Sequence, residues 1–343
     1  FAAIGVFLFG IRDYLAARRL ENWDKGLAKE LAADLKGRKS ILITGATGFI
    51  GARLTKALAD YGHNILVLTR NPEKAANLAS PLTIITSLDQ IKDEDPVDAI
   101  INLAGEPLAN GLWTKNKKQK IISSRTGMIN EIEKLCQRLY VPPKTIIIAS
   151  AIGWYGLRGD ERLNENSEAS DCFTHQVCNQ LEQSAARLKT SHTRVVNLRI
   201  GLVLGTEGGM LANLLVPFEY ALGGPIGDGN QWMSWIERDD MVRLIIHALK
   251  TKELEGPVNA VAPTPLRGKD FAKALGKALN RPSFMPMPAW LLKLGLGDFA
   301  KELLLASQRV ESQKLQQSGF IFRANTIEQA FQICLPGKSE NEK

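Results

Sequence analysis

From Lys39 onward, short apolar runs alternate with amphipathic segments, and the spacing predicts an α/β chain. "SILITGA" reads as a buried strand. "FIGARLTKALADYG" reads as a helix with Ile50, Leu54, Ala57 and Leu58 on one face and Gly62 as its stop. "NILVLTR", "LTIITS" and "VDAIINLAG" supply the second, third and fourth strands. Further on, "RVVNLRIGLVL" is a strand, and "PVNAVAPTPLRGKDFAKALGKALNRP" gives a strand, a turn and a helix. Strand and helix alternating in this way specify a doubly wound parallel sheet with right-handed crossovers, whose ligands sit beyond the carboxyl ends of the strands.

The first 38 residues break the pattern. "FAAIGVFLFGI" is an apolar run of eleven, followed by Arg12, Arg18 and Arg19 and a charged stretch with helical spacing. Eleven residues are too few for a bilayer, which needs roughly 20. The run reads either as the end of a longer hydrophobic helix, with its basic flank on the cytoplasmic side, or as an amphipathic helix docked on the body or a partner. Membrane or protein contact through residues 1–20 follows from either. The expected organisation is an N-terminal helical extension over 1–38, a nucleotide-binding domain over 39–205 with a return segment near 235–262, a smaller C-terminal substrate lobe over 206–335, and a disordered polar tail over 336–343.

The first strand runs into Gly45, Gly48 and Gly51, a GxxGxxG turn opening a helix. Gly45 permits the tight turn, Gly48 lets the backbone approach a pyrophosphate, and Gly51 lets the helix lie close to the strand. The pyrophosphate then rests on the helix-start amides, where the dipole favours negative charge. An acidic residue ending the second strand would hold a ribose 2′-hydroxyl; Thr69 and Arg70 stand there instead, and a guanidinium suits a 2′-phosphate. NADP is therefore the expected cofactor. Ala104 and Gly105, ending the fourth strand, allow the cofactor ribose to pass closely.

Composition narrows the partners. Of 343 residues, 45% are hydrophobic and 23% charged, as in an ordinary globular chain. The net charge of +7 is scattered apart from "KNKKQK" at 115–120, which suits an anionic small molecule better than nucleic acid. Four cysteines without CxxC pairing read as reduced thiols of a cytoplasmic protein, with no metal centre implied.

"TGATGFIG" and the later "NLAG" resemble the extended short-chain dehydrogenase/reductases of Rossmann fold. "SSRTG", "SAIGWYG", "LRIGLVLGTEGGML" and "LGGPIGDGNQWMSWIERDDM" are similar to an atypical subgroup called epimerase family proteins or nucleoside-diphosphate-sugar epimerases, some of them labelled cell-division inhibitors. The resemblance runs from about Ser40 to Leu335 and implies NADP contacts at Thr44, Gly45, Thr47, Gly48, Phe49, Ile50, Gly51, Thr69, Arg70, Ala104, Gly105, Arg125, Ser150 and Gly205. It implies much less about the reaction.

Active members of the wider superfamily use a Ser, Tyr and Lys set in which Tyr moves the proton and Lys lowers its pKa. Aligning Glu182 with the acidic residue that usually follows the Lys by four puts Cys178 at the Lys position and Thr174 at the Tyr position. The usual serine position holds Ala151, with Ser150 one place earlier. Ser150, Tyr155, Cys178 and Glu182 are the candidate substitutes, with His175 nearby. Each has a bland alternative: core packing for Tyr155 and Cys178, an ion pair for Glu182, a surface position for His175. In the lobe, Gln231, Trp113, Trp232 and Trp235 could face a substrate ring or simply pack. Glu237 replaces the histidine common in the subgroup, and Asp240 is expected to cap a helix beginning near Met241. Two readings stay open: an NADP-dependent oxidoreductase or epimerase acting on a small substrate, sugar-nucleotide-like or otherwise, and a non-catalytic NADP-binding regulatory or scaffold protein.

Overall fold

The computed structural model describes residues 37–78, 81–108 and 112–335. The N-terminal apolar run and the polar tail from 336, with the expectations attached to them, lie outside the described residues. Seven parallel strands form the central sheet: β1 (Ser40–Thr44), β2 (Asn64–Leu68), β3 (Thr83–Ile85), β4 (Ala99–Asn102), β5 (Thr145–Ala151), β6 (Arg194–Ile200) and β7 (Gly256–Ala260). Their order is β7-β6-β5-β4-β1-β2-β3, so the crossover direction reverses between β1 and β4. This is the expected doubly wound arrangement.

Alternation along the strands loads both faces. Ile41 and Ile43 of β1 join a core formed with α1 (Phe49–Asp60) and a later helix, Arg238–Lys250, while Leu42 joins the opposite core beneath α2 (Lys115–Arg138) and α3 (Phe173–Ala186). Helix α1 buries Leu54, Ala57 and Leu58 and packs Ile50 partly, as its periodicity predicts. A third core lies past the carboxyl edge. It joins α4 (Gly209–Glu219) to α6 (Gly268–Leu279) and α8 (Ile327–Cys334), with Arg238–Lys250 counted as α5 and Ala289–Leu296 as α7.

A parallel pair between Leu202–Leu204 and Trp235–Glu237 returns the chain to the sheet before α5 and β7. Among the described residues no helix is long and apolar enough to cross a membrane.

Candidate functional site

The turn after β1 has the form that its glycines require. Gly45 takes φ +71, and a Cβ there would meet the Leu103 carbonyl at 2.7 Å; a Cβ on Gly51 would collide with the Gly45 carbonyl oxygen. The Gly48 amide donates to that same oxygen at 3.0 Å, closing the turn. No side chain among the described residues caps α1. The amides at its start are therefore left without a side-chain cap, and the dipole favours an anion there.

Thr44 works inward. It is fully buried, its hydroxyl donates to Asn102 at 2.5 Å, and the Ala104 amide donates back to it at 3.3 Å, tying the ends of β1 and β4. Thr47, Gly48, Phe49 and Ile50 are exposed or half-buried around the turn. At the end of β2 the Thr69 hydroxyl accepts from the Asn71 amide at 3.1 Å, and Arg70 is exposed. Arg70, Lys117 and Lys120 stand near Glu106, whose carboxyl is held below its ordinary value first by its hydrogen bond from Lys117. Part of "KNKKQK" thus sits beside the expected phosphate position. A Cβ on Gly105 would meet the Arg125 guanidinium at 2.9 Å, and Arg125 donates to the carbonyls of Glu106 (3.1 Å) and Ile121 (2.9 Å).

Gly205, Gly208 and Gly209 close around the Phe49 ring; a Cβ on Gly205 would lie 2.7 Å from it. The residues implied for NADP contact are therefore gathered at one end of the sheet, with Thr44 and Gly205 holding backbone and Phe49 in place.

Beside this turn lies a cavity of about 290 Å³, walled by the ends of β5 and β6, by α3 and α4, and by the lobe. Ser150, Thr174 and Cys178 line it, so the two substituted positions face this cavity. The Ser150 hydroxyl donates to Glu182 at 2.7 Å, and both Glu182 oxygens accept from Arg199, at 3.1 and 2.9 Å. Burial first, then the Glu182 charge, pushes the Cys178 thiol up to about 11, so it stays protonated at neutral pH. Tyr155 is turned away from the cavity. It is fully buried, donates to Asn259 at 2.7 Å, accepts from Arg199 at 3.3 Å, and is pushed up by burial to about 12. His175 packs on Trp154 with Nδ1 2.5 Å from its carbonyl oxygen. Of the four candidates, Ser150 and Cys178 face the cavity, Glu182 stands behind Ser150, and Tyr155 belongs to the network beneath.

The lobe residues divide similarly. Gln231 and Trp232 line the cavity. Two guanidinium groups, of Arg267 and Arg309, already lie against the Trp232 ring at 4.2 and 4.3 Å. Trp235 is fully buried with its indole N–H on the Thr264 carbonyl, and Trp113 packs on Phe173 and Phe299 outside the cavity.

The expected cap at Asp240 is corrected. Helix α5 starts at Arg238, and Glu237 caps it by accepting from the amides of Asp239 (2.8 Å) and Asp240 (3.0 Å), whereas Asp240 accepts from the amides of Arg323 and Ala324.

Two residues escaped the sequence reading. Arg199 left a signal: a cation between Leu198 and Ile200 near the end of a buried strand must have a partner. Glu302 left none. Its carboxylate reaches the cavity wall from 128 residues away and accepts from the amides of Thr174 (2.8 Å) and Phe173 (3.3 Å). Among the described residues no cluster of three or more His, Cys, Asp or Glu is placed to hold a metal ion.

Known proteins share this architecture. Residues 41–261 match the NAD dependent epimerase/dehydratase family, and residues 287–333 match a domain of unknown function, DUF1731. "Epimerase family protein ML0860" of Mycobacterium leprae is 36% identical over 307 residues, covering 89% of this chain and 98% of that protein. "Epimerase family protein YfhF" of Bacillus subtilis is 34% identical, covering 84% and 95%. The crystal structure of human epimerase family protein SDR39U1 (isoform 2) with NADPH superposes with a TM-score of 0.78 at 29% identity, covering 86% of this chain and 98% of that one.

Proposed function

The chain belongs to the NAD dependent epimerase/dehydratase family, and from that premise we propose that it is an NADP(H)-binding enzyme of oxidoreductase or epimerase type. In this reading residues 39–205, with the return segment near 235–262, hold the dinucleotide, and residues 206–335 complete the site for a small substrate. The observation that carries it is the shared edge: the cofactor turn and the cavity holding Ser150 open at the same end of the sheet.

The residues present fit the dinucleotide. The Gly45–Gly51 cradle has no room for a Cβ at Gly45 or Gly51, the uncapped amides of α1 receive the pyrophosphate, and Arg70 receives a 2′-phosphate. The human relative, whose crystal structure holds NADPH, supports the 2′-phosphate form. The bound nicotinamide supplies the hydride chemistry. Ser150 holds the substrate oxygen: while its hydroxyl donates to Glu182 its oxygen accepts from a substrate hydroxyl, and rotated it donates to a carbonyl. Glu182, held by Arg199, positions Ser150.

A second reading, a non-catalytic NADP-binding regulator, is favoured by Thr174 and Cys178, because neither a threonine hydroxyl nor a thiol raised to about 11 reproduces a Tyr and Lys pair.

Thermal shift with NADP, NADPH, NAD and NADH tests the cofactor. At 100 times its dissociation constant a ligand adds about 2.7 kcal/mol, so the NADP forms should raise Tm where the NAD forms do not, and Arg70→Ala should erase the difference. Equal shifts from NAD would remove Arg70 from its role. Consumption of NADPH across a panel of carbonyls and sugar nucleotides separates the readings: no turnover with any of them selects the regulator.

A further inference from the structure

Resting on the proposed placement of substrate in the cavity, we infer that its ligand is a compact, largely apolar molecule bearing one hydrogen-bonding oxygen, and not a sugar nucleotide. The size comes first. A cavity of about 290 Å³ lies at the lower end of the roughly 300–1,000 Å³ usual for ligand pockets.

The wall comes second. Ile200, Leu214, Phe218, Ile226, Met233 and Leu304 give it an aliphatic and aromatic surface. Its polar side chains are already engaged with the protein. The Gln231 amide donates to the Ile226 carbonyl at 3.0 Å, and the Gln308 amide donates to the Gly156 carbonyl at 2.8 Å. The Ser234 hydroxyl donates to the Gln308 carbonyl at 2.8 Å and accepts from the Val310 amide at 2.9 Å.

Charge comes third. A nucleoside diphosphate needs cations in the wall. Among the described lining residues the cation is Arg125, bound to two backbone carbonyls under Gly105, while Glu302 contributes a carboxylate. A diphosphate entering this space would shed its water for one cation already tied to backbone carbonyls, and would face the like charge of Glu302. Ser150 remains as the anchor for a single oxygen, since it lines the cavity and its hydroxyl oxygen can still accept while it donates to Glu182.

The approach has the same character. Ile226 bridges to Met287, and around that bridge Leu222, Phe284 and Met287 are 57%, 74% and 45% exposed. Exposed apolar side chains beside the cavity suit the passage of an apolar ligand better than that of a charged one.

Titration of the protein, with and without saturating NADPH, tests this. Cyclohexanone, acetophenone and 2-octanone are compared with UDP-glucose, reading Tm and, where nucleotide is present, its emission. At least one ketone should bind and UDP-glucose should not. Ile226→Asp should weaken ketone binding by at least about tenfold, because it puts a charge into an apolar wall, and should leave NADPH affinity unchanged. Leu214→Gln, a milder change, should act in the same direction if Ile226→Asp unfolds. Binding of UDP-glucose, failure of every ketone to shift Tm, or ketone binding indifferent to both variants would overturn the inference. Failure to bind any nucleotide would instead defeat the cofactor reading, because the ketone titration is scored in its absence as well.

Discussion

Glu237 is a carboxyl with no access to solvent, one oxygen spent on the two amides at the start of α5 and the other without a partner among the described groups. Burial first, then the charge of Asp239, pushes it up to about 8 from an ordinary 4.5. Between those two values the folded chain holds a proton that the unfolded chain has lost, so this residue's contribution is full below about 4.5 and disappears as pH rises through 8. Glu237→Gln keeps an oxygen for the cap and removes the titration. Its melting temperature should therefore fall less than that of the parent between pH 5 and 8, where the single-group slope is at most about 1.4 kcal/mol per pH unit. Parallel curves for the two proteins would refute the assignment. In the sequence, Asp240 has the look of the cap because capping preference is read locally. The structure uses Asp240 for the Arg323 and Ala324 amides, a partnership set by chain folding from 83 residues away.

Among elements, α3 shows both what local pattern conveys and where it stops. The family resemblance put Thr174 and Cys178 at the site positions, and the structure sets both on the cavity wall, with Val177, Leu181 and Ala185 buried on the same helix. Its cap was not legible. Cys172 precedes it without a capping side chain, and Glu302 supplies the acceptor from a short turn of the lobe, Ala300–Leu304. That carboxylate also meets the positive end of the helix dipole. Glu302→Ala should cost about 0.5–2 kcal/mol, seen as a lower denaturant midpoint with unchanged slope. A wild-type midpoint would mean that water caps α3 as well as the carboxylate does. The tryptophans teach the same lesson. Trp113, Trp232 and Trp235 are equivalent as letters, yet only Trp232 reaches the cavity, and its ring already carries two guanidiniums whose positions no local window contains.

Across the whole molecule, Arg199 joins layers that the chain visits far apart. From β6 it pairs with Glu182 on α3, lies 3.5 Å from the centroid of the Trp154 ring, and reaches Tyr155, which in turn holds Asn259 of β7. Both charged side chains are almost fully buried, at 3% and 11% exposure. Removing one member of such a pair strands the other, so Arg199→Met should cost about 3–5 kcal/mol. Adding Glu182→Gln should restore part of that loss; equilibrium unfolding of the two single variants and the double variant measures it, and strictly additive losses would deny the pairing. The doubly wound parallel class was legible because strand and helix alternate along the chain, whereas the strand order and the strand Thr145–Ala151 came from the structure. The pairing beneath Ser150 was not legible either, because it depends on which strand lies beside which helix.

Phe49 begins α1, the helix proposed to receive the phosphates, yet its ring fills the space left by three glycines at the start of the α4 segment, which walls the cavity. The two seats thus share a hinge pin, and free energy passed through it obeys reciprocity. By whatever factor an occupied cavity tightens or loosens the grip on the dinucleotide, the dinucleotide alters the grip on the cavity's occupant by the same factor.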